Sequence, residues 1–150
     1  MRMINMKSVF GLFVALSLMG ANAYATDYTV KELNTGAGGS FVFEPDFLYI
    51  QPGDTVHFVA TDPGHSSMSY LVPSGASSWD SGISKDITVT FTQPGVYLYE
   101  CEPHHTYGML GVIQVGNAVN KAAAEDAAKA MESQQIMNQG RLEKLLQEIK

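Results

Sequence analysis

Residues 94–115 read Pro94-Gly95-Val96-Tyr97-Leu98-Tyr99-Glu100-Cys101-Glu102-Pro103-His104-His105-Thr106-Tyr107-Gly108-Met109-Leu110-Gly111-Val112-Ile113-Gln114-Val115. Pro94-Gly95 is a turn signal, and the residues after it read as a strand, a short loop and a second strand. Side chains alternate along a strand, so Tyr97, Tyr99 and Cys101 share one face. That face is expected to look inward, and each buried tyrosine hydroxyl then needs a partner.

Working outward, the preceding chain repeats the pattern. Tyr28 to Leu33 alternates and ends in the turn-prone run Asn34-Thr35-Gly36-Ala37-Gly38-Gly39. Phe41 to Glu44 stops at Pro45, and Phe47 to Ile50 stops at Pro52-Gly53-Asp54. Val56, Phe58 and Ala60 line one face of the next strand, and Ile87, Val89 and Phe91 line another. Short strands at this spacing with turns between them predict a mainly β fold, a sandwich or Greek-key barrel. Beyond residue 116 the composition shifts to Ala, Glu, Lys, Gln and Leu. Ala122 to Met137 contains strong helix formers with Asn117 or Asn120 to cap them, and Gly140 ends that helix. Arg141 to Ile149 forms a second helix, with Leu142, Leu145, Leu146 and Ile149 on one face. That stripe predicts packing against the β domain. The resulting division is a single domain over 26–150, with a β core over 26–116 and a helical extension over 117–150.

The first residues read differently. Arg2 and Lys7 precede the apolar run Val9 to Met19, and Ala21-Asn22-Ala23 and Ala23-Tyr24-Ala25 are small-residue cleavage patterns. Residues 1–25 are therefore expected to be a signal peptide, cleaved after Ala23 or Ala25. The apolar run is too short for a membrane span. The full sequence has 150 residues, nine basic and fifteen acidic, for a formal charge of −6. Losing residues 1–25 removes two basic residues and no acidic one, which leaves seven against fifteen, or −8. An acidic exported chain is a poor ligand for nucleic acid or an anionic membrane surface.

Cys101 is the only cysteine. Exported proteins meet oxidising conditions, where cysteines usually pair, and this one has no partner in its chain. A buried inert thiol, an intermolecular disulfide and a metal-bound thiolate are the three readings. The neighbours favour the third. Cys101, His104 and Met109 bring thiolate, imidazole and thioether into one loop, and His65 follows Pro63-Gly64 after the Val56 to Ala60 strand. Two His, one Cys and a weak Met describe a mononuclear blue-copper electron-transfer site. Thiolate and thioether suit Cu(I) and imidazole suits both oxidation states, so one copper ion could cycle with little rearrangement. Pro103 stiffens the loop and Gly108 lets it turn before Met109. His57 has the opposite parity to Val56 and Phe58 and is read as surface-facing. His105 is read as solvent-exposed and pH-sensitive near neutrality, not as a ligand.

These stretches resemble the pseudoazurins, small cupredoxins of the bacterial periplasm. The resemblance rests on Phe43-Glu44-Pro45, Gln51-Pro52-Gly53-Asp54-Thr55-Val56, Gly64-His65, Thr92 to Leu98, the loop Cys101 to Met109, and Arg141-Leu142-Glu143-Lys144 in the tail. It implies a cupredoxin-like Greek-key barrel of about eight strands with two C-terminal helices. It also implies one type 1 copper held by His65, Cys101, His104 and Met109 in a periplasmic monomer. Its partners would be transient redox proteins, with nitrite reductase of denitrification as an acceptor. Two positions depart from the family. Ser66 stands where the family commonly has Asn, and the β domain carries only Lys31 and Lys85 where the family rings its docking face with lysines. Glu100 and Glu102 flank Cys101 instead.

The expected mechanism is outer-sphere transfer through the edge of His104, inside an apolar docking rim of Gly64, Pro103, Tyr107 and Phe41. The rival is a periplasmic copper-binding or delivery protein of metal homeostasis. No methionine-rich cluster supports that rival. A Cys/His nucleophile would be locked by metal and has no oxyanion element beside it, so the chain reads as a carrier and not an enzyme.

Overall fold

The computed structural model describes residues 24–150. The expected signal peptide lies outside the described residues apart from Tyr24 and Ala25. Eight strands run in chain order: β1 Asp27–Gly36, β2 Gly39–Glu44, β3 Phe47–Ile50, β4 Thr55–Val59, β5 Met68–Leu71, β6 Ile87–Thr90, β7 Gly95–Glu100 and β8 Leu110–Val115. A 3₁₀ helix, Glu102–Tyr107, joins β7 to β8, and α1 Lys121–Glu132 and α2 Arg141–Leu146 come after β8. No described helix is long and apolar enough to cross a membrane.

The strands form two four-stranded sheets, ordered β2-β1-β4-β6 and β3-β8-β7-β5. β1 runs parallel to β4 and β3 parallel to β8, while the other pairs are antiparallel. The inward faces enclose one core of Val30, Phe43, Ile50, Val56, Phe58, Trp79, Phe91, Tyr97 and Tyr99, closed at one end by Cys101 and Met109. Sheets pair this way because each has an apolar face that must leave water.

The expected parity of β7 holds, with Tyr97 and Tyr99 in the core. Its other face is buried as well. Val96 and Leu98 pack with Val112 beneath Ala124, Ala128, Met131, Leu142, Leu145 and Ile149 of the tail. The leucine stripe of the tail therefore covers the second sheet, as its spacing predicts. Asn120 occupies the N-cap position of α1 without capping it. Its side chain instead accepts from Val96 N–H at 2.7 Å and donates to Val96 O at 2.9 Å, pinning the helix to β7.

Three details correct the sequence reading. β5 carries no alternating pattern and is recognisable only from its pairing with β7. α1 stops at Glu132, short of Met137, and α2 stops at Leu146, short of Ile149. Residues 133–140 do other work: Ile136 N–H donates to Thr106 O at 2.8 Å, and Asn138 Nδ2 donates to Tyr107 O at 2.8 Å. A continued helix would use the Ile136 N–H within itself.

Arg141 completes this strap. Its Nη1 donates to Phe41 O at 2.7 Å and Gly108 O at 2.6 Å, and its Nη2 donates to Gly38 O and Ser40 O. One guanidinium thus joins the β1–β2 hairpin, the loop before β8 and the tail, using the fixed fork that only arginine offers. Phe41 has φ of +53°, a left-handed conformation costly for a bulky residue. Its carbonyl is one of those Arg141 holds.

Gly111 shows how tightly the core is shut. A Cβ there would lie 2.2 Å from Cζ of Tyr99, its register partner on β7. We expect Gly111→Ala to lower stability by roughly 1–3 kcal/mol, the usual range for overpacking, measured by denaturant unfolding. Arg141→Met keeps the aliphatic stem but drops four carbonyl contacts. It should cost about 2–4 kcal/mol, since hydrogen bonds from charged groups contribute about 1.5–3 kcal/mol each and do not add fully. It should also speed amide exchange in residues 38–41 and 106–108.

Candidate metal centre

The centre is built from three separate stretches. Cys101 follows β7 directly in extended conformation, keeps the parity of Tyr97 and Tyr99, and is fully buried in the core. The chain then turns as a 3₁₀ helix with Pro103 in its first turn and Gly108, φ +73°, as its left-handed cap. Gly108 is where a side chain would fail: a Cβ would press on Met137 O and Asn138 Cβ, both at 2.9 Å. The loop is closed by Cys101 N–H donating to Met109 O at 3.1 Å and Met109 N–H donating to His104 O at 3.2 Å. The third stretch is the loop after β4, which carries His65 into the core, fully buried.

Three donor atoms converge. His65 Nδ1 and His104 Nδ1 face each other at 3.0 Å, Cys101 Sγ lies 3.8 Å from the first, and it lies 3.4 Å from the second. Two nitrogens and a sulfur this close together can share one metal ion. Among the described residues, His65, Cys101 and His104 are the one His/Cys/Asp/Glu group close enough to hold a metal. Met109 is fully buried at the same end of the core.

The surroundings set the donors up for metal. His65 Nε2–H donates to Asn34 Oδ1 at 2.9 Å, which leaves Nδ1 as the free lone pair. Burial lowers the His65 pKa, the neighbouring His104 lowers it further, and Asp62 opposes. Burial also lowers that of His104. Both imidazoles are therefore held in the neutral form that binds metal. Burial pushes the Cys101 thiol up to about 11, so a metal ion must displace its proton, and uptake releases that proton to solvent.

Ser66 lies between the His65 loop and the Cys101 loop. Its backbone N–H donates to Cys101 Sγ at 3.4 Å and its Oγ accepts from Glu102 N–H at 3.0 Å. Ser66 thus ties the His65 loop to the Cys101 loop through both its backbone and its hydroxyl.

Of the four expected rim residues, Phe41 and Tyr107 lie against His104. Phe41 stacks on the His104 imidazole at 4.6 Å between centroids and 27° between planes, and on Tyr107 at 5.3 Å. Phe41 also meets His65 edge-on at 6.4 Å. Pro103 is exposed, and Gly64, beside His65, donates its N–H to Ser84 Oγ. Tyr107 and Phe41 are half-buried, so neither is pure core nor free surface.

Other expectations need correcting. His57 does face outward, with Nδ1 against Thr88 Oγ1 at 2.8 Å. His105, in contrast, is half-buried, and its Nδ1 donates to Glu102 O at 2.7 Å, because the 3₁₀ turn folds the ring back over its own backbone. Glu100 is 9% exposed and lies within β7, so only Glu102 of the two flanking acids reaches the surface. Asn34 and Arg141 escaped the sequence reading as site residues. The first appears there as part of a turn and the second as part of the tail, and only folding brings them to the loop.

Comparison with known proteins agrees with this geometry. Residues 30–116 match the family model described as copper binding proteins, plastocyanin/azurin family. The chain is 39% identical over 117 residues to the pseudoazurin of Paracoccus pantotrophus, covering 77% of this chain and 81% of that one. It is 34% identical over 129 residues to the pseudoazurin of Methylorubrum extorquens, covering 85% and 84%. Crystal structures tell the same story. That of pseudoazurin from Methylobacterium extorquens AM1 superposes with a TM-score of 0.70 at 32% identity, over 83% of this chain and 99% of that one. That of native pseudoazurin from Hyphomicrobium denitrificans gives 0.71 at 29% identity, over 83% and 98%. With its two sheets, its helical tail and a buried His/Cys/His cluster, the chain belongs to the copper-binding plastocyanin/azurin family, in its pseudoazurin branch, and is a blue-copper electron carrier.

Proposed function

We propose that His65, Cys101, His104 and Met109 would hold the copper, with the Met109 thioether as the weakest donor, and that electrons pass through the edge of His104. The observation that carries this is the contrast in burial. His65, Cys101 and Met109 are each 0% exposed, while His104 is only partly buried and sits under Phe41 and Tyr107. One imidazole alone thus leads from the centre toward solvent.

Bound copper supplies the one-electron chemistry, cycling between Cu(I) and Cu(II). The chain supplies the rest. The closed loop fixes Cys101, His104 and Met109 relative to each other, and Asn34 and Phe41 hold the two imidazole rings. Nothing in the donor set has to move far when the charge changes, so reorganisation is small. The apolar rim of Gly64, Pro103, Tyr107 and Phe41 suits brief contact with a redox protein, as transient redox complexes have small interfaces. We take the setting to be the periplasm and the acceptor to be a reductase such as nitrite reductase, as the resemblance implies. The face itself is poor in lysine, with Glu102 and Asp62 near the ligands and Lys85 beyond Ser84. An acceptor with an apolar patch and little negative charge fits it.

Adding Cu(II) to the metal-free protein should give an intense band near about 600 nm from thiolate-to-copper charge transfer in a trigonal His/His/Cys site. Cys101→Ser should abolish that band, and a band unaffected by this substitution would remove Cys101 from the ligand set. Tyr107→Glu should leave the band in place and slow electron transfer to a protein acceptor about tenfold, as a charge is buried in an apolar contact. Unchanged rates, measured by stopped flow, would count against the rim.

A further inference from the structure

Among the described residues, the Gln135 side chain and the Tyr99 hydroxyl are buried without a hydrogen-bond partner, and Glu32 is the one acidic side chain buried with neither carboxyl oxygen partnered. It lies on the inward face of β1 between Val30 and Asn34, is 0% exposed, and neither carboxyl oxygen has a hydrogen-bond partner. Its register partner on β2 is Phe43, whose ring packs 4.7 Å from that of Tyr99. The Tyr99 hydroxyl is also buried and unpartnered. An orphaned buried carboxyl is costly, and the cost is largest when it is charged. None of the hydrogen bonds that tie the loops and the tail together uses it. Its backbone carbonyl accepts from Asp62 N–H at 3.0 Å, so its position is fixed by the strand and the loop leading to His65.

The groups that bear on it come from each surrounding element. Asp86, before β6, repels it. Tyr99 of β7 and Cys101 beyond it both sense its charge. Asp46, between β2 and β3, bears on the same Tyr99 hydroxyl. Asn34, two residues along on the same face, links to His65 Nε2. Lys31 points the other way, into solvent. None of the described groups that shift Glu32 is a cation, and its links to the metal centre run through Cys101 and through Asn34, which holds His65.

We propose that Glu32 is the proton partner of the copper centre, taking up one proton from solvent when the centre gains an electron and releasing it when the electron leaves. The balance is one electron from the redox partner and one proton from solvent, giving Cu(I) and a neutral carboxylic acid from Cu(II) and a carboxylate. The physical reason is that the oxidised centre carries one more positive charge than the reduced one. That charge, acting through a low-dielectric core, favours the carboxylate. Burial, with Asp86 adding to it, pushes the Glu32 carboxyl up to about 7, so a nearby unit charge moves it across neutral pH. This inference rests on the carrier reading above.

The test is the midpoint potential from pH 5.5 to 8.5 in the copper protein and in Glu32→Gln, with Glu32→Met as a second variant of similar volume. In the native protein the potential should fall as pH rises, with electron affinity changing up to tenfold per pH unit, or about 59 mV for one electron. Both variants should keep the charge-transfer band and lose the slope. A slope that survives in both variants would belong to a ligand-loop histidine and would overturn the proposal, as would a flat native profile. A metal-free readout stands beside it. The Glu32 carboxyl is protonated at a higher pH in the folded chain than in the unfolded one, where it titrates near 4.5. The stability it permits is therefore full below 4.5 and falls as pH rises toward 7. Glu32→Gln should flatten that fall, and carboxyl carbon NMR of the metal-free and Cu(I) forms should show Glu32 titrating near neutrality. A Glu32 that stays ionised down to pH 5 in the Cu(I) form would overturn the proposal even if neither variant folds. If copper gives no charge-transfer band, the carrier reading fails and the coupling with it. If the band is present and only the slope is unaffected, the coupling alone fails.

Discussion

Two backbone hydrogen bonds hold the centre of this protein together: Cys101 N–H to Met109 O and Met109 N–H to His104 O. They fold nine residues into a closed loop between two neighbouring antiparallel strands. Because β7 and β8 are paired along their full length, with Glu100 opposite Leu110, the loop ends cannot separate without unzipping the sheet. Three donors are thereby fixed relative to one another before any metal arrives. The remaining donor, His65, enters from the loop after β4 and is pinned by Asn34 and by Ser66 against the Cys101 sulfur.

That arrangement places the demands of redox chemistry on the rigid part of the molecule. The sheets and the helical tail bury both faces of β7 and β8, so the strands that carry the loop lie in the interior. The tail has a second role. Its strap, residues 133–141, lends backbone, asparagine and arginine donors to carbonyls of β2 and of the loop before β8. The left-handed Phe41, held by Arg141, puts an aromatic ring flat against the imidazole nearest the surface. A ring in that position shields the ligand from water while leaving its edge available to a partner.

The electrostatics of the site follow from burial. Both imidazoles are kept neutral and the thiol is kept protonated until metal displaces its proton. Glu32 belongs to the same low-dielectric region, and its burial without a hydrogen bond works against folding. Buried polar groups of this kind in native proteins commonly have a function.

Much of this was legible in the chain itself. Cys101, His104 and Met109 lie within nine residues, so their chemistry could be read directly, and His65 could be added because Pro63-Gly64 marks a loop at the end of a strand. Alternation gave one face each of β4, β6 and β7, and the leucine spacing of the tail gave its contact with the sheet. The rest depended on contacts between segments far apart in sequence. β5 has no period of its own and exists because β7 offers it an edge. α1 ends early because its last expected residues bond to the 3₁₀ loop. His105 is folded back and Glu100 is buried because a local turn and a doubly covered strand override their polarity. Arg141 reaches the Phe41 carbonyl 100 residues away, and Asn34 reaches His65 across 31. The sequence by itself determined the donor set and the β class, because ligand type and strand period are local properties. The tertiary structure alone decided what supports each ligand and where a carboxyl is left buried, because those depend on which distant segments the two sheets bring together.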